Sequence, residues 1–278
     1  PAVLSSEIVF ANILISRVRC SERIGWTFCE KWKNSGMGNK YVIVLTACIN
    51  PGKMIHTSLT DVDIRRRQYE DALEFYLLQT DYPIVFVENS GTDISGDFRK
   101  FVDCGRLEFV TFQGNEEFDR KKGKGYGEAL ILEYALEHSL FVHQCDFLVK
   151  ITGRLKVLNI KSLIAVRKMF GDNCIQLRIS EDGVFTQSQF FIAPMLFLKE
   201  YFIPLGEMID DRQCCYFDHV LGYSIKNQAE YCVIPFFNFP LIDGISGTFG
   251  THYNIHYTLL EKMYYVRKTI YKSIIFDF

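Results

Sequence analysis

Three stretches of this 278-residue chain have residues of the type and spacing that hold an anion. The first is Arg120-Lys121-Lys122-Gly123-Lys124-Gly125-Tyr126-Gly127-Glu128, where three glycines and four cations open a helical pattern. Helix N-termini and glycine backbones offer N–H groups, and Lys124 adds charge, which suits phosphate or diphosphate. It is neither a Walker loop nor a dinucleotide fingerprint, and a solvated basic loop is the plain alternative. The second is Lys150, Thr152, Gly153 and Arg154. Alternation puts Lys150 and Thr152 on one strand face, and a lysine inside an apolar strand must be paired or lie at the strand end. There it can neutralise a diphosphate; a salt bridge to a neighbouring helix is the alternative. The third runs from Asp61 to Tyr69. Asp61 and Asp63 suit a helix start, and Arg65 shares a helix face with Tyr69, from which it can point back to the strand ends.

Two further stretches supply acids and a closing loop. Asp210-Asp211 and Asp218-His219 offer carboxylates. Asp211 or Asp218 can act as general base beside an acceptor hydroxyl, an N-cap pair and a surface acid being the alternative. The stretch Asp243-Gly244-Ile245-Ser246-Gly247-Thr248-Phe249-Gly250-Thr251-His252 can fold over a ligand and donate backbone N–H groups. His252 and His256 are four apart, yet no third ligand accompanies them, so no metal residues are assigned. His56, His138 and His143 read as structural.

These residues need elements to hold them. Tyr41–Ala47 is a continuous apolar and β-branched run and reads as a buried parallel strand, ended by Asn50-Pro51-Gly52. A helix over 63–79 follows, with Tyr69, Ala72, Leu73, Tyr76 and Leu77 on one face. Pro83–Val87 is the second strand and runs into Glu88-Asn89-Ser90-Gly91; Leu107–Phe112 is the third. A helix over 125–139 has Gly127, Leu130, Ile131, Tyr134, Ala135 and His138 on its inner stripe. Asp146–Thr152 is the fourth strand. A helix near 160–169, strands near 174–179, 186–193 and 231–235, a short helix from Pro194 and a longer one over 210–226 complete the middle of the chain. Residues 253–274 read as a long helix. The β-α-β-α order argues for a mainly parallel sheet with right-handed crossovers, whose ligands bind beyond the carboxyl ends of the strands.

Composition narrows the class. Apolar residues make up 48% and charged residues 23%, which excludes a disordered or low-complexity chain. Thirty-one basic and 33 acidic residues give a net charge of −2, which sets nucleic acid aside as a partner. The nine cysteines lack the two-residue gap of zinc or redox motifs and read as reduced thiols of a cytosolic protein. No run of about 18 uncharged apolar residues is present, so no transmembrane helix is expected. Ile8–Ile15 followed by basic and aromatic residues reads as a docked or interfacial helix, and the C-terminal helix with its basic polar side is also suited to peripheral membrane contact.

The order of these motifs resembles a known family. It rests on Leu45-Thr46-Ala47-Cys48-Ile49-Asn50-Pro51, Arg65 with Tyr69, Phe86-Val87-Glu88-Asn89-Ser90-Gly91, Gly123-Lys124-Gly125-Tyr126-Gly127-Glu128, Lys150-Ile151-Thr152-Gly153-Arg154 and Gly244-Ile245-Ser246-Gly247-Thr248. Over roughly residues 40–255 the chain resembles the bacterial glycosyltransferases of capsule and lipopolysaccharide O-antigen loci, with a GT-A-like, Rossmann-like fold. The resemblance implies an α/β domain with a mostly parallel central sheet over 40–252, divided into a nucleotide-binding half (40–155) and an acceptor-binding half (156–252). A helical extension (1–39) precedes it and a helix (253–278) follows.

The implied reaction moves a sugar from a nucleotide sugar to a hydroxyl of a lipid-linked or oligosaccharide acceptor, in the cytoplasm or at the inner face of the plasma membrane. Asn50, Arg65, Glu88, Asn89, Ser90, Lys124, Gly125, Glu128, Lys150, Thr152, Gly153 and Arg154 would then bind the donor. Ser246, Gly247, Thr248 and His252 would serve the acceptor or loop closure, and Asp211 or Asp218 would be the base. The family's Asp-x-Asp motif after the fourth strand is replaced by Lys150-Ile151-Thr152-Gly153-Arg154. That leaves a Mg²⁺ or Mn²⁺ requirement in doubt, with cations able to stabilise the leaving group instead. Two alternatives stand beside this one. One is a nucleotidyltransferase, for which Asn50-Pro51-Gly52 matches the usual glycine-rich loop poorly. The other is a non-catalytic nucleotide- or glycan-binding protein on the same fold.

Overall fold

A computed structural model describes residues 40–52, 54, 57–114, 120–180, 183–247 and 250–253. The expected N-terminal extension and C-terminal helix, with His56, Thr248 and His256, lie outside the described residues.

The chain builds a seven-stranded sheet from β1 (Tyr41–Ala47), β2 (Ile84–Glu88), β3 (Leu107–Thr111), β4 (Phe147–Thr152), β6 (Cys174–Gln176), β7 (Phe190–Pro194) and β8 (Cys232–Ile234), in spatial order β3-β2-β1-β4-β7-β6-β8. The pairs β1–β2, β1–β4, β2–β3 and β6–β8 are parallel, and β7 runs against both β4 and β6. This is the mostly parallel α/β sheet expected. A small antiparallel pair, β5 (Lys156–Val157) with β9 (Ile242–Asp243), ties the late glycine-containing loop to the chain after β4.

Period-two alternation divides the sheet's side chains between two cores. Tyr41, Ile43 and Leu45 pack with Tyr69, Leu73, Tyr76 and Leu77 of helix α1 (Val62–Gln79). Val42 and Val44 pack with Ala129, Leu132 and Leu136 of the 15-residue helix at Lys124–His138. Both faces are therefore covered, which is why β1 is apolar throughout rather than alternating. In α1 the Asp61 side chain caps the first turn by accepting the Ile64 N–H at 2.9 Å, and the buried face includes Arg65. Between α1 and Lys124 lies the short helix α2 (Arg99–Asp103), so Lys124–His138 is α3. Helices α4 (Leu140–His143), α5 (Ile160–Arg167) and α6 (Phe217–Lys226) follow.

Four expectations are corrected. The buried face of α3 keeps Gly127, Ile131 and Ala135 of the expected stripe but is turned toward Ala129, Leu132 and Leu136, and Leu130 is only half-buried. Tyr134 is half-buried and His138 exposed, because Tyr134 stacks on both Phe112 and His138 with ring centroids 3.9 Å apart. The long helix over 210–226 is broken: a 3₁₀ turn at Asp211–Gln213 ends at Cys214, whose φ of 57° stops helix propagation, and α6 starts only at Phe217. The strands near 174–179 and 186–193 are the shorter β6 and β7, since the chain between them is held by loop hydrogen bonds such as Ser180 N–H to Phe185 O. The cysteines are not uniformly reduced: Cys104 is disulfide-bonded, whereas Cys48, Cys145, Cys174, Cys214, Cys215 and Cys232 are free.

Candidate functional site

β1 is the point where the sheet's order reverses. The connection from β1 leads outward to β2 and β3, and α3 then crosses back to β4 on the other side of β1. Ligands of open α/β sheets bind beyond the carboxyl ends of the strands at such a point. A solvent-open cleft lies there. Its walls include Thr46 and Cys48 at the carboxyl end of β1, Asn89 after β2, Lys124 and Glu128 of α3, and Thr152 and Arg154 at the carboxyl end of β4.

The loop after β1 is fixed from α1. Arg65 donates through Nε at 2.9 Å and Nη2 at 2.5 Å to Cys48 O, and through Nη1 at 3.1 Å to Leu59 O. Tyr69 accepts the Cys48 N–H at 2.9 Å and the Arg65 Nη2–H at 3.2 Å. Arg65 reaches the strand end as expected and borders the cleft, but backbone carbonyls occupy most of its donors. Gly153 is required by closeness: a Cβ there would sit 2.8 Å from Thr46 O and 3.2 Å from the Tyr69 ring.

Glu88 locks the loops after β1 and β2 together. Its carboxylate accepts the N–H groups of Ile49 at 2.8 Å and of Ser90 and Thr92 at 2.9 Å, and the Ser90 hydroxyl. Burial pushes its pKa up, and these hydrogen bonds oppose the shift. Ser90 Oγ accepts the Asn50 N–H at 3.0 Å, and Asn50 Oδ1 accepts the Gly52 N–H at 3.1 Å. Asn50, Glu88 and Ser90 thus build the loops and do not line the cleft. Asn89 does. It is buried, and its Oδ1 has no hydrogen-bond partner. A buried amide oxygen in that state calls for a donor from a ligand or water.

The lysine of β4 meets the alternative weighed for it. Lys150 is fully buried and donates to Glu128 Oε1 at 2.5 Å, to Ser188 O at 2.5 Å and to Thr152 Oγ1 at 3.2 Å. The reading of Lys150 as a diphosphate contact is corrected: its face of β4 packs against α3, and the ammonium is consumed by Glu128. Glu128 Oε1 also accepts from Thr46 at 3.0 Å and Thr152 at 3.3 Å. Desolvation would raise the Glu128 pKa, but Lys150, Thr46 and Lys124 outweigh it and hold the carboxyl below its ordinary range.

Arg154 is buried at the cleft wall. Its Nη1 donates to Gln68 Oε1 and Ile245 O, both at 3.2 Å, and its Nε has no partner. Gly247 faces it so closely that a Cβ would lie 2.5 Å from Nη2. Lys124 is open to solvent at the cleft, yet the walls desolvate it and lower its pKa, opposed by Glu128, Asp211 and Asp218.

The two candidate bases do not reach the cleft lining. Asp211 is buried against the start of α3, with the Gly125 N–H 3.5 Å from its Oδ2. Gly123 has φ 93°, and a Cβ on it would lie 2.1 Å from the same oxygen. This carboxylate therefore occupies the helix N-terminus where Gly125 was expected to meet phosphate. Asp218 Oδ1 accepts the Ser188 N–H at 2.8 Å, and burial raises its pKa. Neither carboxylate is in the cleft lining, nor is Gly125, although both carboxylates are near enough to Lys124 to act on its titration. Asp210 caps the turn and pairs with Arg212 at 2.7 Å.

In the late loop, Ser246 is buried. Its N–H donates to Thr251 O at 2.8 Å, and its carbonyl accepts the Gly250 N–H at 2.9 Å. Gly247 lines the cleft, and its carbonyl accepts the Ser58 N–H at 3.1 Å. His252 is exposed and bridges to Ile245, away from the lining. Among the described residues no three His, Cys, Asp or Glu side chains gather to hold a metal ion. The one carboxylate among the described lining residues, Glu128, shares the cleft with Lys124, Arg65 and Arg154. The described residues therefore do not fit a resident divalent cation, and no step is routed through one.

Sequence reading missed Thr46, which anchors Glu128, and Gln68, which anchors Arg154. Thr46 had a signal, as a hydroxyl at the carboxyl end of an otherwise apolar strand. Gln68 had none.

No family model matches the chain, and no curated protein matches it. Among solved structures, a cytidylyltransferase from Leptospira borgpetersenii overlaps with a TM-score of 0.43 at 12% identity, covering 86% of this chain and 98% of that one. The inositol-1-phosphate CTP transferase from T. maritima overlaps with a TM-score of 0.43 at 10% identity, covering 84% and 98%. Core-mannan synthase A from Aspergillus fumigatus, in an Mn/GDP form, gives 0.39 at 8% identity, covering 73% and 74%. Overlaps of this size say nothing of activity.

Proposed function

We propose that this chain is a glycosyltransferase that takes a sugar from a nucleotide sugar and joins it to a hydroxyl of a glycan acceptor. The observation that carries this reading is the composition of the cleft at the reversal point of the sheet. It combines a buried, unpartnered amide oxygen on Asn89 with the cations of Lys124 and Arg154. A nucleoside diphosphate has both complements, a base or ribose donor for Asn89 and two phosphates for the cations.

In the proposed step the acceptor oxygen attacks the anomeric carbon. The bond from that carbon to the phosphate oxygen breaks, and its electron pair leaves with the nucleoside diphosphate. The acceptor proton passes to solvent or to the leaving diphosphate. Lys124 and Arg154 lower the barrier by meeting charge that grows on the departing phosphate in a partly dehydrated site. The acceptor in this reading is a lipid-linked glycan of capsule or O-antigen type at the inner face of the plasma membrane.

The test is product analysis. Incubation with UDP-, GDP-, CDP- and dTDP-hexoses and a lipid-linked oligosaccharide should release the free nucleoside diphosphate in step with glycan extension. Release of pyrophosphate from a nucleoside triphosphate and a sugar phosphate would make the chain a nucleotidyltransferase instead. Binding without either product would make it a nucleotide- or glycan-binding protein.

A further inference from the structure

Glu128 is the one acidic side chain among the described residues of the cleft wall, and its two oxygens are in unlike states. Oε1 is saturated by Lys150 at 2.5 Å, Thr46 at 3.0 Å and Thr152 at 3.3 Å. Among the described residues every hydrogen bond of this carboxylate falls on Oε1 and none on Oε2, while the side chain stays 22% exposed in the cleft wall. A carboxylate needed only to neutralise Lys150 would be closed off from the cleft. This one is pinned at one oxygen and offers the other.

We infer that Glu128 reads the transferred sugar, its free Oε2 accepting a hydrogen bond from a ring hydroxyl while the cations of the same cleft hold the diphosphate. The inference rests on the nucleotide-sugar reading and divides its ligand between residues. A phosphate beside Oε2 would meet like charge. A metal ion there would meet one carboxylate and the nearby Lys124 ammonium, a poor donor set. A neutral hydroxyl suits both the free oxygen and its cationic surroundings. Lys150 also keeps Glu128 ionised and weakly basic, which favours holding a hydroxyl over removing its proton. Rigidity adds selectivity: three anchors on Oε1 fix where Oε2 can be met, so the hydroxyl must project from one ring position.

Calorimetric titration of the wild type and Glu128→Gln with UDP, GDP, CDP and dTDP, and with UDP-glucose, GDP-mannose, CDP-glucose and dTDP-glucose, tests this. Glu128→Gln should bind the free diphosphate as tightly as the wild type or more tightly. It should lose about ten- to hundredfold in affinity for the hexose conjugate, the worth of a hydrogen bond to a charged group. The Gln amide oxygen can still accept from Lys150. If the single variant does not fold, Glu128→Gln with Lys150→Met removes the buried charges together and carries the same expectation. Equal change for the diphosphate and its hexose conjugate overturns the inference, and so does a wild type that gains nothing from any hexose. A wild type that binds none of the diphosphates overturns the nucleotide reading itself.

Discussion

Lys150 and Glu128 set the stability of the site as well as its charge. Removing the cation leaves a desolvated carboxylate without its partner, so Lys150→Met should cost about 3 kcal/mol at neutral pH. The sign with pH follows from the lowered Glu128 pKa. In the wild type this carboxylate contributes stability above its ordinary value of 4.5, and the contribution is lost as pH falls below it. In Lys150→Met burial is the main influence left, so the variant's deficit should shrink as pH drops through the carboxylate range. Urea melts at pH 7 and pH 4 check this; a deficit that stays constant would show that the pair is not what couples this site to pH. The sequence showed that a lysine within an apolar strand must have a partner. It could not name Glu128, because that pairing depends on how α3 is rotated over β4. For the same reason the contact of Asp211 was not legible: adjacency in sequence gave no sign that it turns toward Gly123 and Gly125, some 86 residues away in the chain.

The elements were legible wherever local pattern and burial agree. β1, α1 and β4 lie within a residue of their expected bounds, because long apolar runs and one-sided helices are fixed by period. The stretch from 210 to 226 was not, because Cys214 takes a left-handed conformation that no residue type nearby announces. The start of α3 is the other sensitive joint. Gly123 combines φ 93° and ψ −178°, a region essentially confined to glycine, with contact to Asp211. Gly123→Ala should lower stability by at least about 2 kcal/mol in thermal melts, and Gly125→Ala, with 3.0 Å to the same carboxyl group, by less. A harmless Gly123→Ala would mean that Asp211 does not close this helix end. At the far edge of the sheet, Cys174 and Cys232 are register partners on β6 and β8 with sulfurs 2.8 Å apart. Oxidised glutathione should join them, taking up two electrons and both thiol protons, and the 58-residue separation sets a ceiling of about 4 kcal/mol on the gain. Burial and the neighbouring thiol raise the Cys174 pKa to about 11, so the reaction should be slow at pH 7 and quicken with alkali. Peptide mapping that recovers only mixed disulfides with glutathione would refute the pairing.

At the scale of the molecule, a net charge of −2 gives no general attraction to anions, so any affinity for a diphosphate must come from how the cations are gathered. Most of those near the strand ends are already engaged. Lys150 is held by Glu128, Arg65 by Cys48 O, and Arg154 by Gln68 and Ile245 O. Lys124 has the cleft-facing position together with an altered titration. Desolvation lowers its pKa from the ordinary 10.5, so it loses its charge at a lower pH than a free lysine would. Affinity for whichever of UDP, GDP, CDP or dTDP binds should therefore begin to fall on the alkaline side before pH 10.5 is reached. Lys124→Met should bind that diphosphate about tenfold more weakly at pH 7.5 and show no such alkaline limb. Lys124→Arg, whose charge does not titrate in this range, should keep the affinity and lose only the limb. Added salt should weaken the wild type more than Lys124→Met, because a charge open to solvent on one side is screened. Calorimetry across pH with the three proteins separates these outcomes. If Lys124→Met retains both the affinity and the limb, the diphosphate is held elsewhere in the cleft, and Arg154 with its unpartnered Nε becomes the cation to replace next.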